Sequence, residues 1–326
     1  MVHLPDFILD KKLIDEESSG KYGDLYYLCM LDDFRISLPE YYPTFANSEK
    51  LKSLDSADII VLGDSFFRMT RVEKNFIQFL NDSLKMNVFF RQEFNVYNVL
   101  KDNNYKKGKS KILLYEIVER HILDNFTYKQ VKKGNVKRGL TDAFSIIVPY
   151  DREIYYQYVL QKSILTSKIY GIVSNLRFSW FKEITDVVPI YSVNPPWLFL
   201  YKDVDKKFTS FYNNYSDEKI DNVAENIRQL SDELKRDFDI DFIFFPVPNK
   251  YSLYSDKINN DKYNMFLPRL YAALDKKGVK NIKIYNEFKN SEEILYYPTD
   301  THWNPEGNRL VLKLFIEQMR KYNYLF

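Results

Sequence analysis

The chain is poor in the residues on which several kinds of chemistry depend. It has one cysteine, Cys29, among 326 residues, so no intramolecular disulfide can form. That usage suits the cytosol, or a bacterial exterior that does not rely on disulfides. Cys29 lies in a Leu-Tyr-Tyr-Leu-Cys-Met run with no histidine near it in sequence, and it is expected to be a small buried hydrophobe. Histidine is nearly as scarce, with only His3, His121 and His302. Three dispersed histidines and one thiol make no ligand cluster, so neither a metal nor another cofactor is expected. No apolar run reaches the roughly 18 residues that span a membrane. The opening Met1-Val2-His3-Leu4-Pro5-Asp6 lacks the basic and apolar regions of a signal peptide. A soluble chain and one whose anchor was removed fit these absences equally. The net charge of +2 gives no case for a nucleic-acid partner. Internal repeats and low-complexity tracts are also lacking.

Aromatic residues, by contrast, are plentiful, with 27 Tyr and 25 Phe. Tyrosines at this density line sugar-binding grooves, because each ring offers an apolar face and a polar tip. An AT-rich genome, which favours Tyr, Phe, Lys and Asn codons, accounts for them more simply. The hydrophobic fraction of 45% supports a sizeable core.

The hydrophobic pattern predicts an α/β fold with an open parallel sheet flanked by helices. Residues 57–62 form an apolar run ending at Gly63, which reads as a buried strand. A helix is expected over 66–85, from Phe76, Phe79, Leu80 and Leu84. Lys111–Val118, Asp239–Val247 and Asn281–Tyr285 read as further strands. Residues 217–236 carry Ile220, Val223, Ile227, Leu230 and Leu234 on one helical stripe. Helices are also expected over 262–277 and 305–322. In domain terms, residues 1–55 read as an N-terminal extension or cap, and 56–326 as the catalytic domain. A helical insertion at about 121–215 interrupts the rhythm. It holds a basic stretch (Lys129, Lys132, Lys133, Lys137, Arg138), read as a solvated loop or a contact for an anionic polymer, and a helical segment over roughly 151–183.

Two short motifs carry chemistry. Gly63-Asp64-Ser65-Phe66 follows the first strand, so Ser65 is placed at a strand-to-helix turn. There, free backbone amides, that of Ser65 included, would favour a developing oxyanion. Asp300-Thr301-His302-Trp303-Asn304-Pro305 precedes the last helix, with Asn304 suited to cap it and Pro305 to its first turn. A serine nucleophile needs an imidazole to take its proton, and an Asp-x-His spacing lets the carboxylate orient that imidazole. Ser65, Asp300 and His302 are therefore the candidate catalytic residues.

These motifs resemble the SGNH/GDSL hydrolase superfamily, with Gly63-Asp64-Ser65 as its first block and Asp300-Thr301-His302 as its last. More narrowly, the chain resembles the SGNH-like acetyltransferase family of alginate and exopolysaccharide O-acetylation. Tyr115-Glu116-Ile117-Val118-Glu119-Arg120, Trp197-Leu198-Phe199-Leu200 and Pro246-Val247-Pro248-Asn249-Lys250 add to that resemblance. In the alginate proteins the Asp-x-His-Trp segment comes first in the chain, and here it comes last. The superfamily's second block, which supplies a glycine, and its Gly-x-Asn-Asp block are both absent, since no glycine occurs between Gly63 and Gly108.

The resemblance implies an SGNH, flavodoxin-like three-layer fold. It implies a serine-dependent O-acetyltransferase or acetylesterase in the periplasm or at the cell surface. The acceptor would be a polysaccharide, and a membrane acyltransferase would pass the acetyl donor. A non-catalytic glycan-binding or assembly subunit on the same fold is the other reading. Asp64, Arg120, Asn249, Lys250 and Trp303 are the candidates for oxyanion or substrate contacts. For Arg120 the alternative is a salt bridge with Glu116 or Glu119, for Lys250 a surface position, and for Trp303 core packing.

Overall fold

A computed structural model describes residues 21–39, 54–68, 71–107, 111–128, 130, 164–184, 186–205, 211–212 and 215–324. The basic residues Lys129, Lys132, Lys133, Lys137 and Arg138 and the first part of the expected 151–183 helix lie outside them. The chain divides into two compact units. One comprises Met1–Glu40, Lys133–Tyr201 and Pro298–Asp300, and the other comprises Tyr41–Lys132, Lys202–Tyr297 and Thr301–Phe326. Among the described residues the strands are β1 (Ile59–Leu62), β2 (Val88–Arg91), β3 (Lys111–Val118), β4 (Val187–Ile190), β5 (Trp197–Leu200) and β6 (Ile240–Val247). The main helices are α1 (Asp24–Cys29), α2 (Val96–Asp102), α3 (Glu119–Phe126), α4 (Ile164–Phe181), α5 (Asp217–Phe238), α6 (Lys250–Ile258), α7 (Phe266–Lys276) and α8 (Pro305–Lys321).

The second unit is built on a four-stranded parallel sheet of order β2-β1-β3-β6, flanked by helices. Strands covered on both faces read as unbroken apolar runs, and all four residues of β1 are fully buried. β3 and β6 pair along their whole length, from Lys111↔Ile240 to Val118↔Val247. β1 is half as long and pairs only from Ile59↔Ile112 to Leu62↔Tyr115. β3 therefore runs on past the end of β1, a stagger that shapes the site described below. β6 tolerates Pro246 because only an isolated bridge, Phe244↔Asn281, lies on its outer side. That bridge is all that forms of the strand expected at 281–285. The Asn281 amide instead donates to the Tyr322 hydroxyl, and a short helix begins at Tyr285.

The helices follow from stripes and caps. The predicted apolar stripe of α5 is buried throughout, and it packs on β6, α7 and α3. Ser216 caps its start by accepting from the Lys219 amide, and Asp239 ends it in the left-handed region at φ 53°. α8 starts as expected, with Asn304 accepting from the Gly307 amide at 3.0 Å and Pro305 in its first turn. The helix expected over 66–85 is broken. A single 3₁₀ turn covers Ser65–Arg68, and helical structure resumes at Phe76–Gln78, where Asn75 and Gln78 form a capping box, before a π-helical turn at Phe79–Ser83. β2 and α2, which the pattern did not suggest, lie in the following stretch.

The first unit has its own apolar core of Leu25, Tyr26, Cys29, Met30, Leu31, Phe34, Val187 and Leu198. α4 joins it through side chains that bond to backbone: Asn175 Nδ2 donates to the Met30 carbonyl, and the Tyr170 hydroxyl donates to that of Leu28, both at 3.1 Å. β4 and β5 form an antiparallel pair. The start of α1 is tied to a distant segment, since the Thr299 carbonyl accepts the amides of Leu25 and Tyr26. That close approach needs Gly23, whose φ is +90° and where a Cβ would lie 2.3 Å from the Thr299 oxygen. No described helix is long and apolar enough to cross a membrane.

Lys111 opens β3 as a buried lysine, and its Nζ donates to the carbonyls of Asp55 and Ala57, just ahead of β1. Lys111→Met keeps the volume and removes both donors. It is expected to lower stability by about 1–3 kcal/mol in urea unfolding, the cost of buried unsatisfied carbonyls.

Candidate functional site

Ser65 follows β1, and His302 precedes α8. The fold brings these residues, 237 positions apart, into hydrogen-bond contact, with Ser65 Oγ 2.6 Å from His302 Nε2. This is the reach a general base needs to take a hydroxyl proton. The imidazole is held from several sides. Its ring sits 4.8 Å from that of Phe66, and its backbone carbonyl accepts the Tyr297 amide at 3.2 Å. The Thr301 hydroxyl lies 3.5 Å from Nδ1. Asp300 belongs to the first unit. It is buried, and its Oδ2 accepts the Asp24 amide at 3.1 Å.

The turn that presents Ser65 is fixed by a residue the sequence reading considered only as an ion-pair partner. Because β1 stops at the level of Tyr115, Gly63 falls beside the next residue of β3, Glu116. The Glu116 carboxyl is completely buried, and its Oε2 accepts the Asp64 amide at 2.6 Å. A Cβ on residue 63 would stand 2.5 Å from the Glu116 carbonyl oxygen and 2.6 Å from Oε2, so this position accepts only glycine. Burial, reinforced by the nearby Asp64 charge, pushes the Glu116 carboxyl well above its ordinary range. Its Oε1 has no hydrogen-bond partner among the described residues. A neutral carboxylic acid suits such a place, because an ionised one would lack compensating donors.

Other expectations need correction. Ser65 does not open a long helix, and its amide is not free: it donates to Asp64 Oδ1 at 2.8 Å. Asp64 Oδ2 lies 4.0 Å from Nε2 of His121, whose proton affinity is lowered by burial and by the Arg120 charge. Arg120 pairs with neither Glu116 nor Glu119, and its nearest carboxylate is Asp203, 3.8 Å away. Burial raises the Asp203 carboxyl to about 6 despite Arg120 and Lys250 beside it. Lys250 and Asn249 are 3% and 1% exposed, so neither is a surface side chain reaching for sugar. The Asn249 amide donates to Glu119 Oε2 at 3.1 Å, and its Oδ1 accepts from the Arg120 amide at 3.3 Å. Trp303 is fully buried among Phe66, Phe67 and Phe288, so of its two expected roles core packing holds and the sugar-ring platform does not. The residues missed, Glu116 and His121, stand within the Tyr-Glu-Ile-Val-Glu-Arg-His stretch. An acid in an otherwise apolar strand was the available signal for Glu116.

Two substitutions test this turn. Gly63→Ala should cost about 1–3 kcal/mol in thermal or urea unfolding, because backbone cannot yield to the new methyl. Glu116→Gln tests the neutral acid. A raised carboxyl makes the folded state hold a proton that the unfolded chain releases above about pH 4.3. Wild-type stability therefore falls as pH rises from there. The neutral variant lacks that loss, so its melting temperature relative to wild type should climb between pH 4 and 8. A constant difference across that range would contradict the assignment.

Residues 192–324 match the family model described as SGNH hydrolase-like domain, acetyltransferase AlgX. The match takes in Asp300, His302 and Trp303, along with Asn249 and Lys250, and leaves Ser65 and Arg120 outside it. It covers about two-fifths of the chain. No curated protein matches the chain. Residues 192–324 are therefore similar to an SGNH hydrolase-like domain of the AlgX acetyltransferase type, the family that the sequence motifs resemble.

Proposed function

We propose that this protein is a serine-dependent O-acetyltransferase acting on a bacterial extracellular or cell-surface polysaccharide. The observation that carries the reading is the 2.6 Å contact between Ser65 Oγ and His302 Nε2. In the first half-reaction Nε2 takes the hydroxyl proton as Oγ attacks the acetyl carbonyl of the donor ester. The bond between acetyl and donor oxygen breaks, the imidazolium returns the proton to that oxygen, and an acetyl-serine remains. In the second, a sugar hydroxyl gives its proton to His302 and attacks the acetyl-serine, the bond between acetyl and Oγ breaks, and the imidazolium returns the proton to Oγ, which regenerates Ser65 and leaves an O-acetylated glycan. Asp300 is the proposed partner that orients the imidazole and stabilises its charged form, on the strength of its position two residues before His302.

The Ser65 amide takes part in stabilising the oxyanion only if the Asp64 carboxylate, its present acceptor, gives way. Water as the final acceptor would make the same constellation an acetylesterase. The family description supports transfer. The family resemblance also supports an extracytoplasmic setting and a membrane acyltransferase as source of the acetyl group.

The test is turnover of an activated acetyl ester with and without acceptor glycan. Ser65→Ala and His302→Ala should each lower kcat by about three orders of magnitude or more, and the double variant by little beyond either. Asp300→Asn should lower kcat with a smaller change in KM. Acetate as sole product in the presence of glycan would favour the esterase reading, and full turnover in Ser65→Ala would overturn the mechanism.

A further inference from the structure

The proposed reaction makes no use of a surface cleft of about 510 Å³ in the first unit, lined by Asp33, Phe178, Lys182, Pro189 and Tyr191. Its most telling member is Tyr191, a large aromatic that is 48% exposed. The side chain is nevertheless fixed. Its hydroxyl donates to Asp33 Oδ2 at 3.2 Å, and Phe34 packs against it edge-on with ring centres 5.1 Å apart. Phe178 lies nearly parallel to it, at 20° and 6.3 Å between ring centres. Burial, helped by the Asp33 charge, pushes the Tyr191 hydroxyl up to about 12, which keeps it a neutral donor. Lys182 Nζ sits 5.1 Å from the Phe178 ring centre and pairs with no carboxylate among the described residues.

Two near-parallel rings and a proline make the cleft's lining partly apolar, with the half-exposed Tyr191 ring available to a ligand, and an ammonium and a carboxylate supply a donor and an acceptor beside them. A pyranose has the matching chemistry: a C–H face that lies on an aromatic ring, edged by hydroxyls that both donate and accept. A peptide or lipid chain would leave the paired rim groups less well used. Tyr191 is also held in place before any ligand arrives, so little side-chain freedom is lost on binding. We infer that this cleft is a glycan-binding subsite, taking sugar residues of the polysaccharide whose acetylation is proposed above. The inference rests on that reading for the identity of the glycan, and on the cleft alone for its chemistry.

The experiment is calorimetric titration of the full chain with an alginate hexamer and, separately, with cellohexaose. Binding of at least one is expected, weakened about tenfold or more by Tyr191→Ala and several-fold by Lys182→Ala, and kept in Tyr191→Phe, which retains the ring. Circular dichroism on each variant separates loss of the cleft from loss of fold. Tyr191→Ala should hydrolyse an activated acetyl ester at the wild-type rate, and Ser65→Ala should bind the oligosaccharide as wild type does. Binding of neither hexamer, or binding that folded Tyr191→Ala leaves unchanged, overturns the subsite. Tyr191-dependent binding without any ester turnover would instead overturn the acetyl-transfer reading and leave the subsite standing.

Discussion

The serine that meets His302 is placed by a buried carboxyl group. Glu116 accepts the amide of Asp64 where β1 has ended and β3 has not. That hydrogen bond fixes the turn of which Ser65 is the next residue. Its energetics favour the neutral acid: a hydrogen bond between neutral groups contributes about 1 kcal/mol, whereas leaving a buried charge short of donors costs several times more. The same contact dictates the glycine at position 63, since the carboxyl occupies the space of a side chain. The first block of the motif and the strand two removed from it in sequence thus form a single device.

Beyond that turn, the carboxyl ends of β3 and β6 are occupied by polar groups that bond to one another, while Asn249 Nδ2 and Asp203 Oδ1 find no hydrogen-bond partner among the described residues. Glu119 takes the Asn249 amide on one oxygen and the Tyr263 hydroxyl on the other, and the Tyr263 oxygen in turn accepts the Leu267 amide. Arg120 and Lys250 place their charge beside Asp203. These bonds tie α3, α6 and α7 to the sheet. Buried networks of this kind are costly when half satisfied and rigid when complete. The residues that a sugar-binding role seemed to need are committed instead to holding the frame around Ser65 and His302.

Much of this was legible from pattern alone. β1, β3, β6, α5 and α8 announced themselves through apolar runs, a five-residue stripe and an Asn-Pro cap, all local signals that the fold did not override. The pairing of Ser65 with His302 was legible because so few imidazoles were on offer. The rest depends on partners distant in sequence. β2 is four residues long, ends exposed at Arg91, and exists because it pairs with β1. The helix over 66–85 had the right spacing, yet its described residues form only a 3₁₀ turn at Ser65–Arg68 before helical structure resumes at Phe76. Lys250 looks like surface chemistry beside its neighbours in sequence, and only its burial beside Asp203 reveals it as interior, whereas core packing was already the expected role of Trp303. The family's missing glycine and asparagine blocks gave no hint of Glu116, because that residue works through a register offset between two strands.

The lone thiol has a practical consequence. Cys29 is buried in the core of the first unit, and burial holds its proton affinity up, with a pKa of about 11. The thiolate is the form that reacts with maleimides and other electrophiles. The chain thus starts from a chemically silent background. A cysteine introduced at an exposed position would take a fluorophore or spin label without first removing the native one, and the core around Leu25 and Leu198 would stay as it is.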